Sequence, residues 1–324
     1  MIRSFDLRDF PTLHRNRNEG IWLDTPLALT RSMTLVPAGA LLSTLAPATG
    51  IFTFVATNEG NTAQRVVGQF MHTPGAANAK LTFITPEDEI GSHDVPALLD
   101  HLADRAGERG AFNLLAEVDE RSAAYEVLRR AGYAIYTRQW VWKLDSRETP
   151  TSQPWRPAED QDETHVHHLY HTLVPAIVQQ TEPPPWEKVS GLTYIQNGEL
   201  LGYIHLAFGS KGVFAQPFIH QDVETVEDLL LGIYHAIPNL RSRDVYLCVR
   251  SHQAWLAPFL NKLGYNSAPR QAVMVKRLVK TQKITIPIHI PKGMDAIQPE
   301  MPSTGFTSSM TEPVLYHHDQ TKNH

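Results

Sequence analysis

Residues 113–144, NLLAEVDERSAAYEVLRRAGYAIYTRQWVWKL, return as residues 245–278, VYLCVRSHQAWLAPFLNKLGYNSAPRQAVMVKRL. At an ungapped offset of 132, Gly132-Tyr133 falls on Gly264-Tyr265, Arg138-Gln139 on Arg270-Gln271 and Val141 on Val273. Each copy reads as a buried strand, a helix, a Gly-Tyr turn and a closing strand. The helix stripes coincide as well: Ala124, Val127, Leu128 and Ala131 against Leu256, Phe259, Leu260 and Leu263, each with the i, i+3, i+4, i+7 spacing of one apolar face. A period this long implies two similar domains in tandem, because solenoid repeats recur every ~20–50 residues.

The flanks repeat too. Ile2–Phe5 predicts a strand, with Asp9 capping a helix from about Phe10; Trp155–Ala158, with Asp162 capping a helix that carries Val166, Leu169, Tyr170 and Leu173, has the same layout. In the first half, residues 36–50 read as a loop, followed by strands Ile51–Ala56 and Arg65–Met71. The second half has a tighter hairpin, Leu192–Ile195 and Leu200–Ala207 around Asn197-Gly198. Next come strand Lys80–Thr85 and a helix from Asp94 bearing Val95, Leu98, Leu99, Leu102 and Ala106; their counterparts are strand Val213–His220 and, after Asp222, a helix bearing Val226, Leu229, Leu230, Ile233 and Ile237. Gly232 inside that helix implies close packing. The boundaries follow: a domain over 1–145, a polar linker over 146–154, a second domain over 155–279 and a tail over 280–324. The tail has no periodic apolar face and predicts no packed core; its Ile284–Pro291 segment would at most form an edge strand.

With 324 residues, 42% hydrophobic and 19% charged, the chain can bury two ordinary cores. A net charge of −5 and a pI near 6.3 give no basic field to hold nucleic acid. Arg3, Asp6, Arg8 and Asp9 interrupt the N-terminus where a signal peptide needs an apolar core, and no apolar run is long enough to span a membrane, so a cytoplasmic protein without a membrane partner is expected. Cys248, the single cysteine, lies mid-strand and reads as a buried thiol.

The doubled order strand, helix, hairpin, strand, helix, strand, helix with Gly-Tyr, strand resembles the GNAT superfamily of acyl-CoA-dependent N-acyltransferases over residues 1–279. The resemblance is carried most specifically by Leu128-Arg-Arg-Ala-Gly132-Tyr133 and Leu260-Asn-Lys-Leu-Gly264-Tyr265. It implies a mixed α/β (α+β) fold of two tandem units, each a twisted, mainly antiparallel sheet flanked by helices. It implies acyl transfer from acetyl-CoA or another acyl-CoA, without a metal, to an amine of a small molecule or peptide. The assembly would be a monomer whose two units mimic a dimer, or a homodimer.

Within the resemblance, the amides of Phe83, Ile84 and Thr85 would face the thioester oxygen, and Gly91, Ser92 and His93 would meet the coenzyme's diphosphate at a helix N-terminus. Glu117 would be the base and Tyr125 the acid, with His220 the corresponding candidate base in the second half. Both phosphate loops depart from the family pattern Gln/Arg-x-x-Gly-x-Gly/Ala: the first reads Asp88-Glu-Ile-Gly91-Ser-His93 and the second has no glycine. Leu128 and Leu260 stand where the family often has a proton-donating tyrosine. A non-catalytic binding or regulatory protein is the alternative. An open gap between the fourth and fifth strands, beside Thr85 and Glu117, would favour the enzyme, and a plugged gap the binding protein.

Two further features stand apart from the resemblance. His165, His167, His168 and His171 share one helix, where solvated histidines or a cleft wall are expected rather than a metal site. The run Pro183-Pro-Pro185-Trp186 reads as a stiff loop bordering a cleft.

Overall fold

A computed structural model describes residues 1–31, 38–41, 43, 49–58, 61–146, 150 and 153–278. The expected edge strand Ile284–Pro291 and the rest of the tail lie outside the described residues, as does most of the linker. The strands are β1 (Ile2–Ser4), β2 (Ile21–Trp22), β3 (Ile51–Asn58), β4 (Asn61–Met71), β5 (Asn78–Thr85), β6 (Asn113–Asp119) and β7 (Ala134–Leu144) in the first half. The second half supplies β8 (Arg156–Pro157), β9 (Gly191–Gln196), β10 (Glu199–Phe208), β11 (Gly212–Ile219), β12 (Asp244–Arg250) and β13 (Gln271–Arg277). The helices are α1 (Phe10–Arg15), α2 (Thr25–Thr30), α3 (Asp94–Glu108), α4 (Ala123–Arg130), α5 (Glu163–Leu173), α6 (Ala176–Thr181), α7 (Val226–Ala236) and α8 (Ala257–Lys262).

All thirteen strands join one mixed sheet in the order β1-β3-β4-β5-β6-β13-β7-β12-β11-β10-β9-β8, with β2 attached to β5. The order is a palindrome of equivalent strands. Its centre exchanges the closing strands: β13 from the second half lies between β6 and β7, and β7 from the first lies between β13 and β12. The cores are exchanged accordingly. Ala272 and Met274 sit in the first half's core, while Trp142 and Leu144 sit in the second's. The sheet therefore crosses the boundaries that the repeat suggested.

At the centre Gln139 pairs with Gln271, its own equivalent. Further out the ungapped alignment slips by one residue, because Gln271 faces Asp119 on β6 whereas Gln139 faces Arg250 on β12. β12 runs straight into a 3-10 turn, Ser251–Leu256, while β6 reaches α4 through a turn in which the Ser122 hydroxyl bonds Asp119 O. The connection in the second half is one residue longer, 14 positions from Arg250 to Gly264 against 13 from Asp119 to Gly132, which accounts for the slip.

Local features repeat closely. Gly132 and Gly264 have φ of 86° and 79°, and the following Tyr133 and Tyr265 amides each return to Leu128 and Leu260 carbonyls at 3.1 Å. Glycine adopts that left-handed backbone at low cost, which closes the helix and drives the tyrosine into the core. Asp9 and Asp162 do not cap α1 and α5 through their side chains. Each carboxylate is instead clamped by an arginine six residues earlier, Arg3–Asp9 at 2.6 and 2.7 Å and Arg156–Asp162 at 2.8 and 2.7 Å. Each carboxylate also accepts the amide three residues before it, Asp6 at 3.0 Å and Glu159 at 2.9 Å, and so serves the turn that precedes the helix. Likewise His93 and Thr225, rather than Asp94 and Asp222, precede α3 and α7. Within the expected loop, Ala38–Leu41 are helical. Gly232 packs on Pro154 and Trp155, as its place in a helix implied.

Because β13 completes the first half, a fragment of residues 1–146 expressed alone is expected to lack a cooperative unfolding transition by circular dichroism, or to dimerise by exchange on size-exclusion chromatography. A monomer with a sharp transition would show that β7 closes onto β6 without β13.

Candidate functional site

Each half contains a parallel strand pair that starts together and then separates. β5 and β6 pair only from Asn78/Asn113 to Lys80/Leu115, and β11 and β12 only from Gly212/Asp244 to Ala215/Leu247. Past those points the strand edges present backbone groups that need partners.

In the first half the partners come from the chain itself. β2 pairs with β5, Ile21 opposite Ile84 and Trp22 opposite Phe83. Leu23 then spans the gap, its amide donating to Thr82 O at 2.9 Å and its carbonyl accepting from the Glu117 amide at 2.8 Å. Leu23 is buried in the core, and Trp22 meets Phe83 edge to face at 5.2 Å. Thr85 is buried, its hydroxyl donating to Asn16 O at 2.9 Å. β2 has no counterpart among the described residues of the second half. There the Gln253 side chain reaches across instead, accepting from the Ile219 amide at 2.9 Å.

The turns leading into both helices spend amides on their own chain. Before α3 the Ile90, Ser92 and Val95 amides bond the carbonyls of Glu87, Glu89 and Ser92. Gly91 has open space around it and no left-handed φ, so nothing there requires glycine. Before α7 the amides of His220, Asp222, Val223 and Glu224 are taken by Leu201 O, His220 Nδ1, His220 O and Gln196 Oε1. Glu224, Glu227 and Asp228 add negative charge that suits the helix dipole and repels phosphate. The residues present do not fit a coenzyme A diphosphate.

The expected acid and base are separated. Tyr125 packs on the first half's core under Arg129, whose guanidinium lies 5.8 Å from its ring. Glu117 is 11% exposed, and its Oε2 accepts from the Thr25 amide at 3.1 Å and from Gln139 Nε2 at 2.8 Å. Leu128 and Leu260 are buried in the two cores.

Glu117 does border a cavity of about 580 Å³ between the halves, and this is the site that sequence reasoning missed. Its charged wall combines Lys80 and Glu117 from the first half with Glu182 and Arg250 from the second. Arg250 is 7% exposed; its Nη1 lies 3.2 Å from Glu182 Oε1 and its Nη2 4.0 Å from Glu117 Oε1. Burial opposes charge on Arg250, but Glu182 and its other neighbours more than offset this and raise its pKa. Lys80 keeps 50% of its side chain open, with Nζ 3.9 Å from Asp24 Oδ2. Asp24 raises the Lys80 pKa, while burial raises that of Asp24.

Burial, helped by Lys80 and Arg250 respectively, holds His205 and His252 neutral with pKa values of about 4. Among the described residues, both ring nitrogens of His252, Nδ1 of His205, Nε1 of Trp186, and Nε and Nη1 of Arg250 have no hydrogen-bond partner. Buried polar groups are normally satisfied, so a concentration of exceptions on one wall marks a place where something binds.

The Pro183–Trp186 run borders this cavity, as its stiffness implied. The helix histidines are tied locally, His171 Nδ1 to Gln179 Oε1 at 2.8 Å and His167 near Glu163 at 4.0 Å. Among the described residues no group of His, Cys, Asp and Glu is placed to hold a metal ion. Cys248 is buried, which pushes its thiol up to about 12. No described helix is long and apolar enough to cross a membrane. The signals that could have found the site were Lys80 inside a buried strand and Arg250 ending the otherwise apolar Val245–Val249 run.

No protein-family model and no curated protein sequence matches the chain. Among solved structures it is similar to a GCN5-related N-acetyltransferase from Sphaerobacter thermophilus, at 12% identity and TM-score 0.50, covering 87% of this chain and 98% of that one. A tandem GNAT protein from the clavulanic acid biosynthesis pathway also matches, at 14% identity and TM-score 0.48, over 87% of this chain and 99% of that one. With its doubled mixed sheet, its splayed strand pairs and its Gly-Tyr turns, the chain has the fold of the GNAT N-acetyltransferases.

Proposed function

We propose that this is a non-catalytic binding protein on the GNAT fold, with its ligand in the cavity between the halves. The observation that carries this reading is the plug. Residues 21–23 hydrogen-bond both strands of the first gap, in the place that the family resemblance gives to the acyl-CoA arm. The engaged, acidic loops of both halves point the same way, as does the loss of a proton donor at Leu128 and Leu260. The cavity supplies what the gaps lack: accessible volume, aromatic wall and unsatisfied donors.

Acyl transfer by the second half is the competing reading. It is favoured by one observation, that only the Gln253 side chain, and no main-chain segment among the described residues, spans the β11–β12 gap.

Calorimetric titration with acetyl-CoA separates the two. No heat and no thermal shift are expected up to millimolar coenzyme. Micromolar binding that is lost in a Gln253→Trp variant would put coenzyme in the second gap and overturn the binding-protein reading.

The neutral histidines also predict a pH dependence. His205 and His252 take up a proton near pH 6.5 when unfolded but only near 4 when folded, so the unfolded state binds more protons in between. Stability is therefore complete above about pH 6.5 and is lost as pH falls toward 4. The urea midpoint should decline over that window, and less steeply in His252→Gln.

A further inference from the structure

We propose that the cavity binds a small zwitterion, an α-amino acid with an apolar side chain, whose carboxylate meets Arg250 and His252 and whose ammonium meets Glu182. This inference rests on the binding reading above and names the ligand class for the same cavity.

Arg250 is 7% exposed; its Nε has no hydrogen-bond partner among the described residues, its Nη1 has the Glu182 ion pair at 3.2 Å, and neither ring nitrogen of His252 has a partner. A buried donor without an acceptor is costly, and a ligand acceptor at this wall would recover that cost. The planar guanidinium fork matches a carboxylate in two parallel bonds.

Glu117 is engaged through Oε2 by Thr25 and Gln139, and its Oε1 stands 4.0 Å from Arg250. Asp24 holds the Leu27 amide at 2.9 Å and faces Lys80. Glu182 touches Arg250 through Oε1 and stays 21% exposed, which leaves it able to turn toward an incoming cation.

On the cavity wall Lys80 and Arg250 stand against Glu117, Glu182 and the exposed Glu187, while Asp24, which faces Lys80 outside that wall, is drawn toward its neutral form by burial. A polyanion would meet three carboxylates and a diamine would meet two cations. A zwitterion leaves the balance as it is, and its opposite charges sit side by side, as those of Arg250 and Glu182 do at 3.2 Å. Tyr170, Phe214 and Phe218 supply an apolar wall for the side chain, and about 580 Å³ accommodates it.

The test is calorimetry on the full chain with L-phenylalanine and L-leucine, their decarboxylated amines phenethylamine and isopentylamine, and their deaminated acids 3-phenylpropionate and 4-methylpentanoate. At least one amino acid should bind about tenfold or more tightly than its matching amine and acid. Glu182→Gln should weaken the amino acid about tenfold while leaving the acid within about twofold, and His252→Phe should weaken both. An acid or an amine that binds as well as its amino acid overturns the proposal, as does silence from all six at about 10 mM. If acetyl-CoA is silent as well, only the ligand class falls. If acetyl-CoA binds where the six do not, the binding reading falls with it.

Discussion

The buried amide of Gln139 holds the centre of the molecule. It is fully buried, where an unsatisfied amide would cost several kcal/mol, so its partners constrain how the sheet is assembled. Nε2 donates to Gln271 Oε1 and to Glu117 Oε2, each at 2.8 Å, while Oε1 receives the Cys248 thiol at 3.4 Å. Those contacts come from β13, β6 and β12, so one side chain is satisfied only when both closing strands have exchanged. A slip of one residue would turn the amide to the other face of the sheet and leave its partners unpaired. Nearby, Glu120 accepts from Arg138 and from Arg270, two equivalent arginines sharing one carboxylate across the same centre.

From that centre the polar contacts run outward to both functional features. Thr25 donates to Gln271 Oε1 at 3.0 Å and begins α2, just beyond the plug. α2 then docks on the second half, where Thr30 O accepts the Lys211 amide at 2.9 Å. The plug is thus anchored at both ends, to the gap strands by backbone bonds and to the second half by α2. A free strand edge inside the first half would otherwise need a ligand to complete it. Here the chain completes it, and the first half folds with its gap already filled.

Local features were legible in the sequence because local chemistry fixes them. The Gly132 and Gly264 turns, the apolar helix stripes, the Asn197-Gly198 hairpin with φ of 53° and 85°, and the packing glycine at 232 each follow from one residue's backbone or one helix period. What was not legible is non-local. Two residues, Ile21 and Trp22, carry no strand periodicity, and nothing in them announces a partner more than sixty positions away. Strand exchange leaves the same pattern as two self-contained units, because each closing strand looks alike whichever half it completes. Glu117 was singled out as a base, yet the groups that define its surroundings, Gln139, Arg250 and Lys80, come from three other strands.

The two halves allow an internal comparison. What both retain is what the fold needs: the Gly-Tyr turn, the buried tyrosine, the Arg–Asp clamp at the start and the helix stripe. What both lack is what coenzyme chemistry needs: a glycine-rich loop with free amides and a proton donor where Leu128 and Leu260 stand. What belongs to neither half alone is the charged cavity, since Lys80 and Glu117 come from one and Glu182 and Arg250 from the other. A site assembled that way exists only while the closing strands stay exchanged. Ligand binding there would therefore stabilise the union of the halves, so that the interaction holding the fold together and the one occupying the site reinforce each other by mass action.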